Sequence, residues 1–165
     1  MKTLIVIRHA KSSWDVPDQE DRERPLNERG KQNGPEMAKR LKKKGVKPDL
    51  LVSSPAVRAL RTARYFAKEF KFGKKNIVLE EKLYAAGVDA FHEVVAALRD
   101  KYNAVALFSH NPGITEYVNT LSEVHVDNMP TCAVFAVTAD TNQWASFKEA
   151  LKSFLFFDYP KNPLE

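Results

Sequence analysis

The sequence holds one cysteine, Cys132. That excludes an internal disulfide framework and agrees with a reducing compartment, so a cytoplasmic protein is expected. No Cys/His cluster shows metal-ligand spacing, and a structural zinc is not expected. No apolar stretch approaches the roughly 20 residues of a membrane span; the longest, Ser153-Phe154-Leu155-Phe156-Phe157, is far too short. A single Lys precedes the first apolar run, with no h-region or cleavage site, so nothing suggests export. No repeat or low-complexity linker divides the 165 residues, and a single domain spanning 1–165 is expected. The terminal Leu164-Glu165 reads as an expression remnant.

What is present is ordinary for a soluble globular protein: 44% hydrophobic and 28% charged residues. The net charge of +5 and pI near 9.3 admit nucleic acid, an acidic protein or a phosphorylated substrate as partner. Much of the excess lies in Lys39-Arg40-Leu41-Lys42-Lys43-Lys44 and in Lys68 to Lys75, at the ends of amphipathic helices, where cations complement the helix dipole. No base-stacking aromatics interleave them. They read as a solvated face, and no nucleic-acid partner is expected.

The chain opens on Leu4-Ile5-Val6-Ile7, a short run of the kind that forms a strand buried on both faces of a parallel sheet. It leads straight into Arg8-His9-Ala10-Lys11-Ser12-Ser13. Open α/β sheets bind ligands beyond the carboxyl ends of their strands, which puts Arg8 and His9 at the active edge. The charged run Asp15 to Pro25 reads as a loop over that edge. Asn27 is the expected N-cap of a helix that Gly34-Pro35 should interrupt or kink and Gly45 should stop. Asp49 to Ser53 is a second buried strand, with Ser54-Pro55 as cap and first residue of a helix through Phe70. That helix carries Arg58 in its first turn, leaning back toward Arg8 and His9, and turns Arg61 and Arg64 outward.

Asn76 to Glu80 reads as a third strand near an edge, and Asp89 as the cap of a helix through Leu98. Ala104 to Phe108 is again wholly apolar and exits into Ser109-His110-Asn111-Pro112-Gly113, repeating the opening pattern, with a helix from Ile114 to Leu121 after it. Ala133 to Val137 and Trp144 to Phe147, around Asp140-Thr141-Asn142, suggest a hairpin. Alternating strands and helices give a three-layer α/β fold with helices on both faces of a largely parallel central sheet and an antiparallel C-terminal hairpin.

Three strand exits thus contribute Arg8 and His9, Arg58, and His110. Two arginines offer bidentate donors to a phosphate. Two histidines can divide the work, one neutral and nucleophilic, the other donating to the developing charge. Taken alone, His110 reads more often as a hydrogen-bonded histidine at a strand end, and the company of His9 turns it to function. Lys11 and Ser12 either donate to a phosphate from the loop or merely line it, and His92 and His125 read as surface residues.

Arg8-His9-Ala10, the run Pro48 to Ala63 with Ser53-Ser54-Pro55 and Arg58, and Ser109-His110-Asn111-Pro112-Gly113 resemble the motifs of the histidine phosphatase (phosphoglycerate mutase-like) superfamily, in family order. Leu26-Asn27-Glu28-Arg29-Gly30 is similar to its first helix. The resemblance implies that His9 is the phosphorylated nucleophile and that Arg8, Arg58 and His110 complete the phosphate pocket.

Departures narrow the choice. Many members have Gly after the Arg-His pair, where this chain has Ala10. Their general acid follows a leucine by two residues, and Leu83-Tyr84-Ala85 puts alanine there. Phytase-like members carry the acid after the second histidine, where Asn111 stands. Proton donation to a leaving group is worth roughly 10²–10⁴-fold, so a poor alkoxide leaving group is badly served, whereas the nitrogen of a phosphoramidate needs less help. The compact length, Arg8-His9-Ala10-Lys11-Ser12 and Asn128-Met129-Pro130-Thr131-Cys132-Ala133 resemble the SixA-type phosphohistidine phosphatases.

That resemblance implies removal of phosphate from a phosphohistidine on a partner protein, of the histidine phosphotransfer class, without metal or cofactor. A small-molecule phosphomonoesterase stays open if Glu80 or Glu81 reaches the pocket. A basic binding module with a vestigial site also stays open, and oligomeric state is not legible.

Overall fold

The computed structural model describes residues 1–73 and 76–163. Lys74 and Lys75 of the second basic run and the terminal Leu164-Glu165 lie outside the described residues. The strands are β1 (Lys2–Arg8), β2 (Leu50–Ser53), β3 (Ile77–Leu79), β4 (Ala104–Ser109), β5 (Val134–Ala139) and β6 (Lys152–Asp158). They form one six-stranded sheet in the order β3-β2-β4-β1-β5-β6. β3, β2, β4 and β1 run parallel, while β5 is antiparallel to β1 and β6 to β5. This is the mixed three-layer architecture expected, with β3 on an edge.

β1 lies inside the sheet, and its alternation feeds two cores. Ile5 and Ile7 pack with Met37, Ala38 and Leu41 of α1 (Glu28–Lys43) and Ala63 and Phe66 of α2 (Val57–Glu69). Leu4 and Val6 join the opposite core with Phe91, Val94 and Val95 of α3 (Val88–Ala96) and Tyr117 and Val118 of α4 (Gly113–Val118). No helix among the described residues is long and apolar enough to cross a membrane.

Asn27 caps α1 as expected, its side chain accepting from the Gly30 amide at 2.9 Å, and Gly45 follows the helix with φ +78°. Pro35 does not interrupt α1. An interior proline costs about 3 kcal/mol, and the buried stripe on both sides of it, with Gly34 packed directly on the Tyr65 ring, outweighs that loss. Two expected caps are displaced. α2 begins at Val57 with Ala56 as N-cap, and α3 begins at Val88 with Gly87 as N-cap, so Asp89 lies inside its first turn.

The hairpin partner also differs. Trp144–Ser146 is a 3-10 turn, and the strand that pairs with β5 is Lys152–Asp158, which contains the longest apolar run. Trp144 is fully buried; its amide donates to Asp100 Oδ1 at 2.8 Å and its indole to the Tyr102 carbonyl at 2.7 Å, partners a strand would not leave it. His125 is exposed, while His92 is half-buried, edge-on to Tyr117.

Candidate active site

Register places the central pair. Arg8, the last residue of β1, pairs with Ser109, the last of β4, so His9 and His110 leave the sheet side by side. Their ring centroids are 5.1 Å apart at an interplanar angle of 52°. β2 ends alongside, with Ser53 opposite Phe108, and delivers Ser54, whose amide donates to the Phe108 carbonyl at 2.9 Å. The Ser54 hydroxyl lies 2.7 Å from His110 Nε2. Ser54 therefore serves the His110 ring as well as receiving the Ala56 amide at 3.2 Å.

His9 Nδ1 lies 2.7 Å from the Ala10 carbonyl. A carbonyl only accepts, so Nδ1 carries the proton and the lone pair of the neutral ring is on Nε2. Burial drives the His9 pKa well below its ordinary value; the Ala10 bond opposes this, and the His110 ring and the Arg58 and Arg8 guanidinium groups add to it. His110 is lowered to about 3, first by burial and then by Arg58, with Arg8 and Arg24 adding to it and Asp21 opposing. Both rings are neutral at neutral pH, and His9 presents an unprotonated nitrogen.

The arginines are held by backbone carbonyls, which leaves donors free. Arg8 Nη1 donates to the Met129 carbonyl at 2.8 Å, and Arg58 Nη1 to the Asp21 carbonyl at 2.7 Å. Arg8 Nε, Arg58 Nε and His110 Nδ1 are buried and have no protein partner. Buried polar nitrogens are ordinarily satisfied, and three orphans at one site point to a polar ligand. Thr62 ties the layers together, accepting from the Ala10 amide at 2.9 Å and donating to the Arg58 carbonyl at 2.8 Å.

A cavity of about 650 Å³ gathers Arg8, His9, Arg58, His110 and Lys11, together with Ser12. The five site residues expected from the sequence are thus brought together, Lys11 exposed on the rim. Ala85 and Asn111, the positions without an acid, also line it. Glu80 and Glu81 do not. Glu80 receives the Lys82 amide at 3.3 Å, and Glu81 pairs with Arg22 on the exposed surface. Gly113 seats the far wall: a Cβ there would fall on the Ala86 carbonyl oxygen.

Two pocket residues, Asp21 and Arg24, went unrecognised in the sequence. Asp21, in a 3-10 turn over Asp21–Glu23, accepts from Arg58 at 2.9 Å, from the Tyr84 hydroxyl at 2.5 Å and from Arg24 at 3.2 Å. Desolvation pushes its pKa up, but these bonds and the Arg58 charge prevail and hold it at about 2. Arg24, itself buried, donates to Ser12 Oγ at 3.0 Å and stacks 3.4 Å over the exposed Trp14 ring. The charged run over the active edge was the signal, but no periodicity told which of its members turn inward.

The sequence model of the histidine phosphatase superfamily, branch 1, matches residues 4–86. An uncharacterized chloroplastic protein of Arabidopsis thaliana is 28% identical over 151 residues, covering 87% of this chain and 69% of the relative. Among solved structures, a protein described as a candidate phosphohistidine phosphatase SixA of Agrobacterium tumefaciens superposes with a TM-score of 0.80 at 23% identity, covering 96% of this chain and 98% of that one. The protein histidine phosphatase SixA complexed with tungstate superposes with a TM-score of 0.78 at 22% identity, covering 94% and 95%.

Proposed function

The chain belongs to the histidine phosphatase superfamily, branch 1, and from there we propose that it is a phosphohistidine phosphatase acting on a partner protein. The partner is of the histidine phosphotransfer class. His9 is the nucleophile, Arg8 and Arg58 bind the phosphoryl oxygens, and His110 donates to them. The structural likeness to proteins described as SixA supports this reading. So does tungstate, an analogue of orthophosphate, in one of them.

The observation that carries the proposal is how the pocket engages its Asp21 carboxylate, which accepts from Arg58, Tyr84 and Arg24. Asp21 is held ionised, with a pKa of about 2, and has no proton to give at neutral pH. Ala85 and Asn111 stand where relatives place an acid. A leaving group then receives no proton from Asp21, Ala85 or Asn111, which an imidazole tolerates and an alkoxide does not.

The steps balance without one. The substrate ring carries a proton on its free nitrogen. The His9 Nε2 lone pair forms the new N–P bond while the old one breaks, its electron pair returning to the leaving ring, which departs as neutral imidazole. Phospho-His9 is then an imidazolium whose Nδ1–H is held by the Ala10 carbonyl, an interaction that strengthens as the ring becomes cationic. Water adds to phosphorus, the electron pair returns to Nε2, and dihydrogen phosphate leaves. The arginines offset phosphoryl charge throughout.

One observation favours a second reading. Glu116 of α4 lines the rim of the cavity, where a carboxyl group could serve a phosphomonoester as general acid. The test is phosphate release from a phosphohistidine protein and from a panel of phosphomonoesters, by wild type and by His9→Ala. Release confined to phosphohistidine and lost in His9→Ala is expected. Efficient ester hydrolysis that Glu116→Gln removes would establish the second reading. No release by the folded wild type from either class would leave a binding module with a vestigial site.

A further inference from the structure

A second cavity of about 590 Å³ lies beside the first and shares Lys11 and Thr131 with it. Its rim carries three cations from three parts of the chain: Lys11 after β1, Arg29 at the start of α1, and Lys161 near the end of the described residues. All three are exposed. None of the lining residues is acidic, and among the described residues none of the three cations is ion-paired. The nearby acids of α1 are engaged elsewhere, Glu28 with Lys31 and Glu36 with Arg40.

The groove is built rather than incidental. Its outer wall, Tyr159 to Lys161, is pinned from beneath by the buried Arg40. That guanidinium donates to the carbonyls of Tyr159, Pro160 and Asn162 at 3.1, 3.2 and 3.1 Å and to Asp158 at 3.3 Å. Its inner wall is set by the close seat of α1 under the Lys11 loop. The Asn27 amide donates to the Lys11 carbonyl at 3.0 Å, and a Cβ on Gly30 would collide with that oxygen. Besides the cations and the wall, the lining is Gln32, Asn33, Pro130 and Thr131, with Tyr159 on the outer side. Amide and aromatic groups beneath separated cations suit a polypeptide with spaced carboxylates better than a compact polyanion.

We propose that this groove binds aspartate or glutamate side chains flanking the phosphohistidine on the partner protein, so that the enzyme reads the acidity of the segment that presents its substrate. The inference rests on the phosphohistidine reading above. Shared lining puts the groove next to the reacting phosphorus, where a residue close in space to the phosphohistidine would lie.

The experiment compares phosphoramidate, a phosphohistidine peptide flanked by aspartates, the same peptide with asparagines, and a bisphosphorylated ester beside its monophosphate. Wild type is expected to favour the aspartate peptide in kcat/KM by about tenfold at low ionic strength, through KM, with the preference shrinking as salt is added. In Arg29→Glu/Lys161→Glu the preference is expected to vanish while phosphoramidate turnover stays unchanged. Both residues are exposed, so the fold is retained, and Arg29→Gln/Lys161→Gln should fall between. A wild type that turns over phosphoramidate and both peptides without preference, or a preference that survives charge reversal, overturns the groove and leaves the activity standing. A preference for a bisphosphorylated ester over its monophosphate, with none between the peptides, overturns the protein assignment. No turnover of any probe overturns activity and groove together.

Discussion

His9 and His110 occupy equivalent places on neighbouring parallel strands, each the residue after the register pair Arg8–Ser109, with ring centroids 5.1 Å apart. Backbone pairing therefore sets their separation. What the side chains around them control is protonation and orientation, and those are the handles that mutation can move.

Ser54 is one such handle, its hydroxyl 2.7 Å from His110 Nε2. Ser54→Ala leaves the strand and its backbone bonds intact but frees the ring. A neutral hydrogen bond contributes about 0.5–1.5 kcal/mol, so phosphate release should slow by roughly threefold to tenfold, with an altered pH profile. Unchanged rates and profile would show that the hydroxyl does not orient His110.

Acid should destabilise the protein through the same pair. The unfolded chain protonates its histidines near 6.5, whereas His110 in the fold waits until about 3 and His9 lies well below 6.5, burial being the first cause in both. Between those values the unfolded state binds more protons, so the stability these groups contribute is complete above 6.5 and is lost as pH falls toward 3. Asp21, lowered from 3.8 to about 2, adds the same sign at more acid pH. Thermal unfolding followed from pH 7 to 4 should show a falling Tm in wild type and a shallower fall in His110→Gln. A Tm that rises on acidification would contradict the neutral pair.

Asp21 lies against the donors of Arg58, at 2.9 Å, and competes with any phosphoryl oxygen for them. Asp21→Asn removes that charge from the pocket and should lower the inhibition constant for orthophosphate or vanadate by roughly threefold to tenfold, the range expected of a partly exposed pair. Weaker inhibition would mean that the carboxylate mainly positions Arg58.

Gly113 has no room for a side chain, because the Ala86 carbonyl occupies the Cβ position. Gly113→Ala should cost about 1–3 kcal/mol in chemical denaturation, as overpacking does. It should also lower activity, since the displaced connection carries Tyr84 and Ala85 into the pocket.

The sheet and the histidine pair were legible in the chain because both rest on local patterns. Wholly apolar runs such as Leu4 to Ile7 and Ala104 to Phe108 specify strands buried on both faces, and residues at their exits must lie at the carboxyl edge. Side-chain chemistry gives Arg8, His9, Arg58 and His110 the donors and lone pairs that the proposed phosphate site calls for, wherever those exits meet. The strand order that makes them meet is not written locally. It depends on β4 pairing with both β1 and β2, which only the closed sheet decides.

The same limit explains the misread elements. Trp144 to Phe147 and Ser153 to Phe157 are both short apolar runs, and periodicity cannot rank them; the buried partners of the Trp144 amide and indole, from Asp100 and Tyr102, do. Ser54 and Asp89 carry cap chemistry, but the Ser54 hydroxyl is shared between His110 and the Ala56 amide ahead of the helix, and Gly87 ends the preceding connection. The inward turn of Asp21 and Arg24 could be read from no spacing at all. Their partners lie on α2, on the connection after β3 and on the loop after β1, and a charged residue in a loop declares its side only when distant segments arrive beside it.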